Sequence, residues 1–161
     1  MERKDLSSDD LCAVRQTLDQ AAIRDVIGLY FYGLDRRDFT VFTDCFTPDA
    51  YGEYDGGKAV HRGREAIITA LRGISQFKSS SHLASSMMIK VDGDRAKADT
   101  YAVAFLLTDN EEGKGRILVR GLQYLDDFVH RPEGWRIAHR VHIPVWQYEA
   151  TSIPPCLPQV T

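Results

Sequence analysis

The chain has 161 residues, of which 43% are hydrophobic and 27% are charged, and its formal net charge is −3. This balance is typical of one soluble globular domain that builds its core without disulfides or bound metal. Acidic and basic residues are interspersed. The sequence therefore lacks the basic stripe of a nucleic-acid-binding protein and the basic amphipathic helix of a membrane-surface protein. No apolar run approaches the roughly 18 residues that span a bilayer.

The N-terminal residues and the cysteines favour a cytoplasmic protein. Residues 1–5 are mostly charged, unlike the apolar core of a secretory signal. The three cysteines, Cys12, Cys45 and Cys156, are widely spaced and odd in number, which favours reduced thiols over a disulfide framework. We expect no nucleic-acid partner and no membrane partner.

The first half of the sequence predicts three helices. Residues 7–37 begin with a hydroxyl and acids, continue with apolar residues at three- and four-residue steps, and end with two arginines. A short second helix is expected over 38–46, broken by Pro48 and Asp49. After a hairpin over 50–61, whose turn signal is Asp-Gly-Gly, a third helix is expected over 64–73.

The second half predicts a β-sheet. Four strand-like runs lie at 79–91, 95–108, 116–130 and 134–148, separated by segments of turn composition. Short connections between long strands indicate an antiparallel meander, and a sheet this long must curl. The expected fold is a single α+β domain over 1–161, a cone-shaped curved antiparallel sheet with three N-terminal helices covering its concave face. Residues 148–161 are predicted to form a proline-rich tail.

Asp35 and His82 are candidates for a general base. Asp35 follows the last apolar position of the first helix, at the end where the helix dipole disfavours an acid. His82 lies in a stretch of small and polar residues, 79–86, which leaves space for a ligand. A carboxylate that orients an imidazole makes a general base. The alternatives are a solvated acid paired with an arginine, and a core histidine bonded to a serine.

Alternation along the last strand places Arg140 and His142 on one face. Arg140 either steadies negative charge that develops in a reaction or pairs with Asp126 or Asp127. Ala104, on the second long strand, leaves comparable space. The same alternation predicts that the opposite face carries Trp135, Ile137, His139, Val141 and Ile143. We expect substrate contacts at Tyr51, Ala104, His142 and Trp146.

Other chemical motifs are absent from the sequence. The histidines and cysteines show no metal-ligand spacing, such as HxxxH, HExxH or CxxC. Glycine-rich nucleotide loops and the GxSxG elbow are missing as well. The expected activity therefore uses no metal and no cofactor.

Residues 23–38, IRDVIGLYFYGLDRRD, resemble the opening helix of the SnoaL-like, nuclear transport factor 2-like superfamily, which includes scytalone dehydratase, bile-acid 7α-dehydratase and hexachlorocyclohexane dehydrochlorinase. Residues 121–126, followed by 134–137 and Arg140, resemble its last two strands, and the resemblance covers about 15–146. It implies that Asp35 and His82 match the catalytic dyad of these lyases. It also implies that Tyr30 matches a catalytic tyrosine and Arg140 a pocket arginine.

Two positions depart from the bile-acid enzyme: Ala104 and Pro144 stand where that enzyme has an aspartate and an arginine, which argues against a bile-acid substrate.

We expect a cofactor-independent lyase, a dehydratase-type enzyme acting on a cyclic or aromatic, largely apolar small molecule. The alternatives are an isomerase or polyketide cyclase, a non-catalytic ligand-binding module, and the small subunit of a ring-hydroxylating dioxygenase.

A homo-dimer or homo-trimer is also expected, because the predicted convex face of the sheet is a large apolar surface that is unfavourable in water. The predicted convex face of the sheet carries Tyr101, Val103, Phe105, Ile137 and Val141.

Overall fold

A computed structural model of the chain describes residues 7–109 and 115–152. Its helices are α1 (Ser8–Arg36), α2 (Phe42–Cys45) and α3 (Arg64–Leu71), with 3-10 turns at Phe39–Val41 and Arg72–Gln76. Its strands are β1 (Phe46–Tyr54), β2 (Ala59–Arg62), β3 (Ser79–Asp92), β4 (Arg95–Asp109), β5 (Gly115–Arg131) and β6 (Gly134–Thr151). None of the helices in this part of the chain combines the length and the apolar character that crossing a membrane requires.

The six strands form one curved sheet in the order β2-β1-β6-β5-β4-β3. Strands β3 to β6 are the predicted antiparallel meander, and the α+β fold is confirmed. The sheet is mixed, however, because β1 runs parallel to β6 while pairing antiparallel with β2. This parallel pair brings the β1–β2 hairpin beside β6. The hairpin therefore extends the sheet at the edge opposite β3 and helps to enclose the concave face.

Helix α1 begins and ends as the sequence predicts. Ser7 and Asp10 form a reciprocal capping box, in which the Ser7 hydroxyl accepts from the Asp10 backbone N–H at 3.1 Å. The helix ends at Arg37, whose left-handed backbone (φ 58°) lets its N–H reach the carbonyls of Gly33 and Leu34. Its buried side chains face the concave side of the sheet: Ile23, Val26, Ile27, Tyr30, Phe31 and Leu34.

The second helix is shorter than predicted. It ends at Cys45, and β1 begins at Phe46, so Pro48 and Asp49 lie within a strand instead of breaking a helix. The pairing of β1 with β6 shifts between Phe46 and Tyr51, and Pro48 and Asp49 are exposed there. Proline is tolerated because an irregular stretch of strand needs no N–H donor from it.

The predicted faces of β6 are wrong before residue 139. Asp127 pairs with His139 but Phe128 pairs with Ile137, so Ala138 is the extra residue of a β-bulge. One extra residue moves every preceding side chain to the other face. Ile137, expected on the convex side, is therefore fully buried in the core, as is Trp135.

The predicted tail begins later than expected, because Tyr148 to Thr151 belong to β6. Residues 153–161, which include Cys156 and the prolines, lie outside the described residues. Cys45 is a free thiol in the core, where burial raises its pKa to about 12, and Cys12 is free and exposed.

Candidate active site

A cavity opens between the concave face of the sheet, the C-terminal half of α1, and the segment formed by α3 and the 3-10 turn after it. Its volume is about 150 Å³. This is smaller than the roughly 300–1,000 Å³ of pockets for drug-sized ligands, and it is close to the roughly 150 Å³ of an apolar cavity that binds benzene. Its lining is mostly apolar or aromatic, with three basic side chains: Tyr30, Leu34, Tyr54, Ala70, Leu71, Ile74, Phe77, His82, Ala104, Leu106, Arg120, Leu122, Tyr124 and His142.

Asp35 and His82 are in direct contact at the edge of this cavity. Asp35 Oδ1 lies 2.6 Å from His82 Nδ1, and Asp35 Oδ2 accepts the backbone N–H of His82 at 2.7 Å. The end of α1 therefore clamps both the ring and the backbone of one β3 residue. The histidine side chain is 4% exposed and the carboxylate 24%.

The Asp35 carboxylate has further partners. Ser80 Oγ donates to Asp35 Oδ1 at 2.9 Å, and the Arg37 guanidinium donates to Ser80 Oγ at 2.6 Å and to the Phe77 carbonyl at 3.2 Å. Partial burial acts to raise the pKa of Asp35, but the hydrogen bonds from His82 and Ser80 lower it overall. The group is thus held as a carboxylate, and these bonds offset the unfavourable helix dipole at its position.

The orientation of His82 follows from its neighbours. The Phe31 ring stacks on the imidazole at a centroid distance of 5.6 Å and an angle of 10°. A carboxylate only accepts hydrogen bonds, so Nδ1 carries a proton toward Asp35 and Nε2 carries the free lone pair in the neutral ring. Among the described residues Nε2 has no hydrogen-bond partner. His82 therefore offers the cavity a basic nitrogen whose tautomer is fixed.

The opposite wall carries hydrogen-bond donors. Arg120 projects from β5, and its Nη2 lies 3.4 Å from Asp55 Oδ1 at the turn between β1 and β2. The backbone N–H of Asp55 donates to His142 Nδ1 at 3.3 Å, so the proton of the neutral ring is on Nε2. Burial, followed by the charge of Arg120, lowers the pKa of His142 to about 4. The cavity thus has a base on one side and donors on the other.

A model of the SnoaL-like domain family matches residues 15–141. The chain belongs to the SnoaL-like family. It is 28% identical over 138 residues to an uncharacterized protein of Mycobacterium tuberculosis, a match that spans 85% of this chain and 92% of that protein.

Two solved structures show the same fold as this SnoaL-like domain. A candidate scytalone dehydratase from Novosphingobium aromaticivorans superimposes with a TM-score of 0.71 at 24% identity, over 82% of this chain and 87% of that one. A hexachlorocyclohexane dehydrochlorinase, LinA-type3, from Novosphingobium barchaimii LL02 gives 0.75 at 14% identity, over 91% and 99%. At these identities the likeness concerns the fold.

Four of the residues predicted from the sequence line the cavity of this SnoaL-like domain: Tyr30, His82, Ala104 and His142. Asp35 stands behind His82. Tyr30 is 1% exposed, and burial, opposed by the charge of Arg140, raises the pKa of its hydroxyl. Tyr30 therefore keeps its proton at neutral pH and is available as a donor.

Arg140 lies beneath the cavity instead of on its wall. Its Nε and Nη2 donate to the two oxygens of Asp126 at 2.7 and 2.6 Å, and both side chains are fully buried. The guanidinium also lies over the Tyr30 ring, 4.0 Å from its centroid, and 4.7 Å from that of Tyr124. The structure shows the pairing alternative, with Asp126 and not Asp127 as the partner.

Two expected substrate contacts lie on the outer face of the sheet. Tyr51 pairs with His139 across β1 and β6, with the Arg62 guanidinium 4.8 Å from its ring centroid. Trp146 is 48% exposed, because a second bulge at Val145 reverses the faces of β6 beyond Pro144. Its indole lies over Gly121, where a side chain would collide with it.

Sequence reasoning missed Arg120 and Tyr54 as cavity residues. A usable signal exists for Arg120, since alternation places it on the same face of β5 as Leu118 and Leu122. A charged residue within an apolar strand face is a candidate for function. The described residues contain no cluster of three or more His, Cys, Asp or Glu side chains that could hold a metal ion.

Proposed function

We propose that this SnoaL-like protein is a cofactor-independent lyase in which His82 removes a proton from a carbon atom of a small, ring-containing substrate. One observation carries the proposal: the 2.6 Å contact between Asp35 and His82 at the edge of a largely apolar cavity. A general base contributes when it is held within reach of the substrate in the right protonation state. The Asp35 carboxylate holds the proton of the neutral ring on Nδ1, which leaves Nε2 free to accept, and it stabilises the imidazolium that forms.

The reaction balances without an external reagent. His82 Nε2 takes the proton, and the electrons of the C–H bond end in a carbon–carbon double bond once the bond to a hydroxyl on the adjacent carbon has broken. The imidazolium then returns the proton to the departing oxygen, so water leaves and the neutral histidine is restored. Tyr30, a buried neutral hydroxyl in the cavity wall, is the donor proposed to hold the leaving oxygen.

The substrate class follows from the cavity and is consistent with the relatives. Leu34, Leu71, Ile74 and Phe77 give the cavity an apolar side, and its volume of about 150 Å³ suits a molecule of one ring. Two proteins with the same fold are named for eliminations, one a candidate scytalone dehydratase and one a dehydrochlorinase. These names support a lyase without identifying its substrate.

The test is a double-mutant cycle on turnover. A panel of cyclic β-hydroxy ketones is screened for formation of the conjugated enone by ultraviolet absorbance. His82→Ala and Asp35→Asn should each lower turnover by roughly 10²–10⁴-fold, the usual contribution of a general base. The double variant should lose little more than either single variant, because the two side chains act as a unit.

His130→Ala is the matched control. His130 packs against Trp135 and does not line the cavity, so its replacement should leave turnover unchanged. Near-normal turnover in Asp35→Asn, or losses that simply multiply in the double variant, would show that the pair is structural.

A further inference from the structure

The proposed base has a counterpart on the far side of the cavity. In the register of the sheet His82 pairs with Ala104, and Ala104 pairs with Arg120. These residues form one row across β3, β4 and β5, and all three line the cavity. With neighbouring strands about 4.8 Å apart, the Cα atoms of His82 and Arg120 are roughly 10 Å apart. Because the residue between them is only an alanine, a planar ring fits between base and guanidinium.

The hydrogen-bonding capacity of Arg120 is largely unused. A guanidinium has five N–H donors. Among the residues of 7–109 and 115–152, Arg120 has one side-chain hydrogen-bond partner, Asp55, at 3.4 Å, and the Asp55 side chain is 54% exposed. The Nε of Arg120 is buried and has no hydrogen-bond partner within residues 7–109 and 115–152. A buried charged donor without an acceptor is costly, so this position is suited to an oxygen from a ligand.

Two more donors stand beside Arg120. The Asp55 N–H fixes the His142 tautomer with its proton on Nε2, and His142 lines the cavity. The Tyr54 hydroxyl is buried beside the Tyr30 side chain, and its ring lies 5.5 Å from that of His142. The wall opposite His82 therefore presents a cationic donor and two neutral donors. In the part of the chain that the structure describes, the acidic side chain that contacts Arg120 is the exposed Asp55.

We propose that Arg120, with His142 and Tyr54, binds an oxygen that is or becomes anionic, and that the substrate is a ring-sized carbonyl compound whose acidic C–H lies next to the carbonyl. The ring lies over Ala104, the C–H faces His82 and the carbonyl oxygen faces Arg120. The proton passes to His82 Nε2, and the electrons of the C–H bond move onto the carbonyl oxygen to give an enolate. Re-formation of the carbonyl then moves the electrons into a carbon–carbon double bond and expels the hydroxyl from the adjacent carbon. The His82 imidazolium returns its proton to that oxygen, so water leaves and the neutral histidine is restored. This order of events rests on the proposed role of His82, whereas the oxygen site does not.

The experiment uses 4-nitrophenol, whose phenolate is a planar, ring-sized mimic of an enolate and absorbs differently from the phenol. The wild-type protein should bind the phenolate more tightly than the phenol, which lowers the apparent pKa of the bound probe. Arg120→Met should weaken phenolate binding roughly tenfold or more, because a hydrogen bond to a charged group is lost. Binding of neutral 4-nitroanisole should be unchanged, and Arg120→Lys, which keeps the charge, should retain more phenolate affinity than Arg120→Met.

Arg116→Met is the matched control. Arg116 lies on the same strand, is 56% exposed and pairs with Glu149. The Arg116→Met variant should bind the phenolate as tightly as the wild type does. His82→Ala should also keep phenolate binding while losing turnover, which separates the oxygen site from the lyase proposal. The oxygen site is refuted if the wild type does not bind the phenolate, if it binds nitroanisole equally well, or if Arg120→Met keeps its phenolate affinity within about twofold.

Discussion

Replacing Arg140 with methionine removes one half of an ion pair in which neither side chain reaches solvent. The substitution deletes two charge-assisted hydrogen bonds to Asp126, at 2.6 and 2.7 Å, and leaves that carboxylate buried without its cation. At about 1.5–3 kcal/mol for each such bond, the loss comes to roughly 4 kcal/mol, within the range found when one partner of a buried pair is removed. For a domain of this size that corresponds to a fall in melting temperature of about 8–16 °C.

The double variant shows whether the charge pair itself is needed. Asp126→Leu combined with Arg140→Met replaces the pair by apolar side chains, and it should be far more stable than either single variant because no charge is left unpaired. Urea unfolding at neutral pH should give a coupling free energy of about 3 kcal/mol or more between the two positions. Lys97→Met is the control, since Lys97 pairs with Asp127 nearby but is 83% exposed, and it should change stability by less than about 1 kcal/mol.

Arg140 and Asp126 do not stabilise each other if Arg140→Met lowers the free energy of unfolding by less than about 1 kcal/mol, or if the costs of the two single substitutions add in the double variant. A folded double variant that keeps turnover would also show that Arg140 supports the floor beneath the cavity and takes no direct part in the chemistry.

Two further predictions concern pH and assembly. Since burial, followed by the charge of Arg120, lowers the pKa of His142 to about 4, the unfolded chain takes up a proton first as the pH falls. Stability should therefore decrease between about pH 6.5 and pH 4, by up to roughly 3 kcal/mol, and His142→Gln should flatten this decrease in urea unfolding measured across the range; an unchanged slope would contradict it. The outer face of the sheet exposes Tyr101, Leu125 and other large apolar side chains, so we expect a homo-dimer or homo-trimer that buries this face. Light scattering at micromolar concentration should show it, and Leu125→Glu should shift it toward monomer, whereas a monodisperse wild-type monomer would exclude it.

The sequence by itself determined the elements whose signals are local. The hydroxyl cap at Ser7, the apolar stripe of α1 and the turns at 92–95 and 131–134 each involve a few neighbouring residues, and the structure has these elements where they were predicted. Asp35 was identifiable because its charge conflicts with the helix dipole, and His82 because small residues surround it. Both signals can be read without knowing which strand lies beside which.

Only the tertiary structure decided which side chains meet. The bulges at Ala138 and Val145 add one residue each to β6, which puts Ile137 in the core and turns Trp146 outward. Because side chains alternate with a period of two, a single extra residue reverses a face, and no local composition marks where this happens. The row that sets Arg120 opposite His82 depends on pairing between β3, β4 and β5, over long separations along the chain. The pairing register between these strands sets the row, and the residue pattern along a single strand does not encode that register.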